Sequence, residues 1–453
     1  MFDIVIGRSK KNQEKFGLEG TVFLGKQYVS MGQYISLSNR VFVDVSTSHS
    51  VFICGKRGSG KSYTMGVIAE GIADLPEEVR SNISVVILDT MGIYWTMKFP
   101  NKEDAGLLEK WGLKHKGLNV KIFTPSGYFD LFKEKGIPTD YPFSIKPSEL
   151  SASDWLNVFG LEKNSESGAL IEKIVNRLSK RTKDYGFEDI LTEIDLEDFS
   201  KEIKLIVRNR FSNAQNWGLF SSSGTDISQI IAPGQISVID VSCYATIPGA
   251  ENLKSLAIGL IAQKAFEERM KSRRSEEFKE VNSAVDLFST ETSLSMDNPM
   301  VWFIIDEAHE FLPREGTTGA SDALITILRE GRQPGVSLIL ATQQPGKIHT
   351  DVITQSDIVI SHRLTAKVDV DSLGMIMQSY MRESLNQAID SLPRETGAAL
   401  VFDDDNERLF PIRVRPRLTW HGGSAPSAIR IRRELFKDIR RDFLKWEHER
   451  KRP

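Results

Sequence analysis

The stretch Gly55-Lys56-Arg57-Gly58-Ser59-Gly60-Lys61-Ser62 fits the spacing G-x-x-x-x-G-K-[ST] of a phosphate-binding loop. In such a loop the glycines let backbone N–H groups wrap phosphate oxygens, and the start of the following helix favours an anion. Lys61 is then the residue to reach the β- and γ-phosphates of ATP, and Ser62 the one to hold Mg²⁺. Gly55 through Tyr63 form the nucleotide-contacting set. Far downstream, the apolar run Met300–Ile305 ends in Asp306-Glu307-Ala308-His309. This reads as a strand with acids at its C-terminal edge, where ligands of open α/β sheets sit. Asp306 is expected to bind Mg²⁺ through water and Glu307 to polarise the attacking water. An Asp-Glu pair alone reads equally well as the start of a helix, and only the P-loop gives the hydrolytic reading its weight. A third run, Val336–Ala341, leads into Thr342-Gln343-Gln344-Pro345, which places Gln343 to sense a γ-phosphate. Just ahead of it, Arg329 and Arg332 flank a glycine turn. They read equally as intrachain ion pairs or a solvated turn and as fingers for a neighbouring subunit's site, where an arginine is worth about 10³–10⁵ in rate.

These residues need a scaffold, and the chain supplies alternating elements. His49–Cys54 reads as a short buried strand before the loop, and Tyr63–Ala73 has helical spacing after it. Ser84–Leu88, Val120–Phe123, Ile236–Val241 and Asp357–Ser361 are further strand candidates. Strands alternating with helices predict an α/β fold with a mostly parallel sheet. Between residues 148 and 232 the pattern turns helical, with candidate helices over 152–159, 168–183, 187–194 and 202–211. This is a helical insert, and its Arg208 and Arg210 read as surface ion-pairing residues. An amphipathic helix is expected from Leu253 to Ala265. The Ser-, Glu-, Lys- and Thr-rich residues 271–298 read as an exposed insertion. Ala398–Phe402 and Arg408–Val414 read as a β-hairpin. Its acidic turn lacks the glycine and distal glutamate of a calcium loop. Before the P-loop strand, Phe2–Ile6, Thr21–Leu24 and Arg40–Val45 predict a small β region. At the other end, Ile431, Leu435, Ile439, Phe443 and Trp446 share one helical face of a tail with ten Lys/Arg against five Asp/Glu. That face fits a strap across the core, contact with phosphates or a docking helix. The expected division is a β region over 1–46, an ATPase core over 47–147 and 233–423, the insert over 148–232, and a basic amphipathic helix over 424–453.

A chain of 453 residues exceeds one ordinary domain, and a hydrophobic content of 40% supports a packed core. No apolar run approaches the roughly 18 residues of a membrane span. The N-terminus lacks the basic-then-apolar pattern of a signal peptide. Two cysteines, both in apolar runs, support neither a disulfide framework nor a zinc site. A cytoplasmic protein is expected. The formal net charge of −3 gives no bulk attraction for nucleic acid, so a DNA-binding reading requires positive charge concentrated locally.

Taken in order, these segments resemble the HerA/FtsK class of P-loop motor ATPases, and HerA-type proteins most closely. The resemblance rests on Gly331-Arg332-Gln333-Pro334-Gly335 through Ala341-Thr342-Gln343-Gln344-Pro345, on Asp306-Glu307-Ala308-His309, and on His421-Gly422-Gly423. Asp89-Thr90-Met91-Gly92-Ile93-Tyr94 is similar to the family's D-P-x-G-E-Y, with Thr90 and Ile93 departing from it. The resemblance implies a RecA-like core in a ring, usually of six subunits, that drives double-stranded DNA through its centre with ATP. It also implies a NurA-type nuclease partner, docked on an N-terminal barrel that residues 1–46 supply only in shortened form. It gives Gln343 as the sensor and Arg332 as the family's arginine, acting in cis or in trans. A two-lobed DEAH-box helicase fits less well, because its two nucleotide motifs lie closer together and it needs a second lobe. A conjugation or secretion motor and a nucleotide-dependent scaffold in a defence complex share the same site chemistry and stay open.

Overall fold

The computed structural model describes residues 2–31, 34–247, 252–285, 296, 298–374, 388–389 and 391–423. The expected C-terminal helix over 424–453 lies outside them. Thirteen strands occur along the described chain: β1 Asp3–Ile6, β2 Thr21–Met31, β3 Tyr34–Asp44, β4 Ser50–Cys54, β5 Ile83–Asp89, β6 Lys121–Pro125 and β7 Tyr141–Phe143, then β8 Ile236–Asp240, β9 Met300–Ile305, β10 Val336–Thr342, β11 Ile358–His362, β12 Ala398–Asp403 and β13 Arg408–Val414. All belong to one sheet in the order β1-β3-β2-β13-β12-β11-β4-β10-β9-β5-β8-β6-β7. From β11 to β7 every pairing is parallel. Strands buried on both faces read as continuous apolar runs, and β5, β9 and β10 are buried at every residue.

Side chains alternate across the pleat into two cores. On one face Phe52 and Cys54 of β4 join Phe303 of β9 and Leu340 of β10 beneath the helical insert. The insert's centre is Trp155, fully buried, with ring centroids of Phe211 at 4.9 Å, Phe220 at 5.3 Å and Phe159 at 5.5 Å. On the other face Val51 and Ile53 meet Met65, Ile68, Ala69 and Ile72 of the helix Lys61–Ala73. A helix buried on nearly all sides lacks a polar stripe, which matches this one's mostly apolar sequence.

The hairpin of β12 and β13 turns the parallel sheet antiparallel. β2 and β3 continue it through β13, so the N-terminal strands extend the main sheet. The long helix Leu253–Val285 differs from expectation: it runs far into the stretch read as an exposed insertion. Charged side chains that read as loop composition pair along the helix instead. Arg273 contacts Glu276, Glu277 and Glu280, and Lys271 pairs with Glu268. Arg269 is buried against Glu276 at 2.9 Å and donates to the carbonyl of Pro334 at 2.8 Å, tying the helix to the sheet edge. Such i, i+3 and i, i+4 pairs support a helix. Residues 286–295 and 297 of the expected insertion lie outside the described ones.

Candidate nucleotide site

The C-terminal ends of β4, β10, β9 and β5 lie side by side, and the motifs emerge there. The loop after β4 is pinned at its base: the Gly55 N–H donates to the Thr342 carbonyl at 3.3 Å and the Lys56 N–H to the Arg363 carbonyl at 3.0 Å. Gly55, Gly58 and Gly60 all have φ in the left-handed range (154°, 75° and 117°), where a side chain is strained. A Cβ at Gly55 would also meet Ser59 Oγ at 2.5 Å and His362 Cβ at 2.6 Å. Gly60 begins the helix Lys61–Ala73 without a side-chain cap, so its first amides stay open to an anion. Lys61 Nζ lies 3.5 Å from the Lys56 carbonyl, folded back on its own loop.

Ser62 and Asp306 are 244 positions apart in the chain, yet the Ser62 hydroxyl donates to Asp306 Oδ2 at 2.5 Å. An all-oxygen pair of hydroxyl and buried carboxylate suits Mg²⁺, which takes few protein ligands beside phosphate and water. The residues present therefore fit the metal the motif implies. Beside them Glu307 adopts φ 49° and ψ 43°, an uncommon conformation for a residue with a side chain. Its Oε2 is buried without a hydrogen-bond partner and sits 3.5 Å from His309 Nδ1. Burial and the Asp306 charge push its carboxyl above the ordinary glutamate range, while Lys61 and the Gln343 N–H oppose them. A carboxylate with a free, poorly solvated oxygen is suited to accept a proton from water.

Gln343, at the end of β10 between β4 and β9, is half-buried, and its side-chain amide makes no hydrogen bond to the described residues. Its neighbours are engaged: Thr342 Oγ1 meets His309 Nδ1 at 3.0 Å and accepts the Gln344 N–H at 3.0 Å. Tyr63 turns away, accepting the Arg417 N–H at 2.6 Å with its ring edge-on to His421. Only its backbone remains for a nucleotide.

The two arginines lie elsewhere. Arg332 precedes β10, whereas Gln343 follows it, so the strand's rise of about 3.3 Å per residue puts Arg332 roughly 20 Å from the site. Arg329 donates to Asp351 Oδ2 from Nε at 2.7 Å and Nη2 at 2.6 Å, an exposed intrachain ion pair. Arg332 is exposed and has no partner among the described residues. It rims a cavity of about 400 Å³ shared with Arg8, Asp44, Arg269 and Arg273.

Three positions were not legible as site residues. His362 closes the base of the loop: Nδ1 meets the Ala398 carbonyl at 3.1 Å, so it carries the hydrogen, and Nε2 accepts from the Thr64 hydroxyl at 2.9 Å. Burial drives this ring down to about 4, keeping it neutral beside Lys61. Glu70, fully buried on the P-loop helix, receives Arg415 and Arg417 at 2.9 and 3.1 Å and the N–H groups of Leu418 and Thr419. Tyr94 lies fully buried beside Ser62 and Asp306.

With this geometry in view, residues 29–261 match the family model for the central domain of helicase HerA. The chain is 25% identical over 371 residues to a DNA double-strand break repair helicase HerA of Pyrococcus furiosus, covering 77% of this chain and 62% of that protein. It is 24% identical over 437 residues to a protein of the same name from Sulfurisphaera tokodaii, covering 94% of this chain and 76% of the relative. The chain thus spans less than two thirds of the Pyrococcus protein's length. Among solved structures its fold is similar to VirB4 of Thermoanaerobacter pseudethanolicus, with a TM-score of 0.54 at 12% identity over 87% of this chain and 96% of that one.

Proposed function

The chain belongs to the HerA family of P-loop ATPases, and from that premise we propose that it is an ATP-hydrolysing motor that works as a ring on double-stranded DNA. ATP binds in the Gly55–Tyr63 loop, with the open amides of the P-loop helix on its phosphates. Lys61 leaves the Lys56 carbonyl for the β- and γ-phosphates. Ser62 and Asp306 would hold Mg²⁺, which would supply positive charge against the transferring phosphoryl group. Glu307 takes up the proton of the attacking water, and the free Gln343 amide orients that water or the γ-phosphate.

The observation that carries the ring is Arg332. It is an exposed cation without a partner among the described residues, on the sheet edge opposite its own P-loop and too far away to serve in cis. Head-to-tail association sets one subunit's edge against the next subunit's opposite edge and closes into a ring when the rotation permits. Arg332 then serves the neighbour's phosphates, while Arg329, already paired with Asp351, holds the turn. The test mixes two inactive variants, Arg332→Ala and Lys61→Ala. In mixed particles some interfaces combine an intact P-loop with an intact Arg332, and ATPase activity returns. Well-mixed particles without recovery would contradict the trans role.

The relatives are double-strand break repair helicases, which favours DNA ends as the substrate, and the family resemblance adds a NurA-type nuclease as the partner. A conjugation or secretion motor, which would use the same site chemistry, is a second reading. Among the described residues no helix is long and apolar enough to cross a membrane.

A further inference from the structure

Tyr94 is a buried polar group at the site to which the mechanism above assigns no part. It lies at the end of the segment Asp89–Tyr94, which leaves β5 in a tight turn. The Asp89 carboxylate accepts three N–H groups from that turn: Met91 at 3.2 Å, Gly92 at 2.8 Å and Tyr94 at 2.8 Å. Gly92 has φ 67°, and a Cβ there would meet Ser242 Oγ at 2.8 Å. The turn is also backed by β8, where Asp240 stands in register with Asp89 and accepts the Ser242 N–H at 3.0 Å. This winding fixes Tyr94 at 2% exposure. Thr96 anchors the following turn on the Trp420 carbonyl at 3.1 Å.

The Tyr94 hydroxyl is buried and has no hydrogen-bond partner. Leaving such a group unsatisfied costs stability, and orphaned buried hydroxyls are uncommon enough to need a reason. The β5–β9 pairing of Leu88 with Ile305 sets Asp89, which holds the Tyr94 N–H, beside Asp306, and the polar group closest to bonding the Tyr94 hydroxyl is the hydroxyl of Ser62, without a well-formed hydrogen bond between them. Asp306 Oδ2 now receives the Ser62 hydroxyl. When Ser62 turns its oxygen lone pair to a divalent cation, that donor is redirected, and Tyr94 is the hydroxyl left beside the carboxylate.

We infer that Tyr94 is a positioning residue for the metal side of the site, its hydroxyl orienting the Asp306 carboxylate or a water held by it once a divalent cation is present. The inference rests on the P-loop reading of Ser62 and Asp306. Outer partners of this kind typically contribute 10–100-fold to metal affinity. The Asp89 turn sets the position of the hydroxyl, and Ser242 and Asp240 hold the turn.

The test uses the full chain with ADP and Mn²⁺ as the probe, counting free Mn²⁺ by its electron paramagnetic resonance signal. Tyr94→Phe keeps the ring that fills the space and removes only an unpartnered hydroxyl. Its Mn²⁺ affinity in the ADP complex is expected to fall roughly tenfold. ADP affinity in EDTA should stay at the wild-type value, and the thermal midpoint of the nucleotide-free protein should hold or rise, because an unsatisfied hydroxyl is removed. Unchanged Mn²⁺ affinity overturns the inference while leaving the P-loop reading intact. A lowered midpoint without loss of Mn²⁺ affinity makes Tyr94 a packing residue and also overturns it. A wild-type protein that binds no Mn²⁺ with ADP overturns both readings.

Discussion

At the residue scale the site turns on two oxygens without partners and one cation folded back on its own loop. Glu307 is held in a left-handed backbone conformation with Oε2 buried and unpaired, next to Asp306. Such strain persists where surrounding structure enforces it and is common at functional sites. Glu307→Gln keeps the shape and removes proton acceptance. ATP binding should stay within about twofold, while turnover falls by about 10²–10⁴, the usual range for a general base. Equilibrium binding of a labelled nucleotide and single-turnover hydrolysis separate the two effects, and wild-type turnover would remove Glu307 from this role. Lys61, Ser62, Asp306 and Glu307 were legible because each sits in a short contiguous motif whose backbone geometry is local. Tyr94 and His362 were not, because each follows the end of a strand or turn whose neighbours are set only by the sheet order. Arg329 shows the limit differently: its partner Asp351 lies on a separate short helix that no local spacing announces.

At the element scale the P-loop helix couples the site to the chain's last described segment. Its Glu70 is held well below the ordinary glutamate range by Arg417 and Arg415, against the opposing effect of burial. Gly66 one turn earlier leaves room for Arg417, since a Cβ there would lie 2.5 Å from the guanidinium carbon. Removing one partner of a buried charge network strands the others, at a cost of about 3–5 kcal/mol. Glu70→Ala should therefore lose about that much stability in denaturant titration, because Arg415 and Arg417 stay buried without their carboxylate. A loss under 1 kcal/mol would show that the arginines escape to solvent. The strands were legible because β5, β9 and β10 are buried on both faces and must be apolar throughout. The Leu253–Val285 helix was legible only to about Ala265. Beyond it the burial stripe fades, and the helix depends on ion pairs and on Arg269 binding the Pro334 carbonyl, a contact across distant sequence.

At the scale of the whole molecule the sheet has two edges with different contents. The edge at the C-terminal ends of β4, β10, β9 and β5 carries the phosphate loop, the acids and Gln343. The opposite edge carries Arg332 and its cavity. Within one chain β10 separates Arg332 from the phosphate loop, which is why the proposed ring would be needed to bring the two together. The overall acidity of the chain, −3, leaves any attraction for a polyanion to local patches. The measurement that tests the central claim most directly is the ATPase rate of a preparation of known mass, with and without duplex DNA. The account predicts a particle that is a multiple of the 51.0 kDa chain, with turnover that rises on adding duplex DNA. A monomer hydrolysing ATP at full rate, indifferent to DNA, would contradict it.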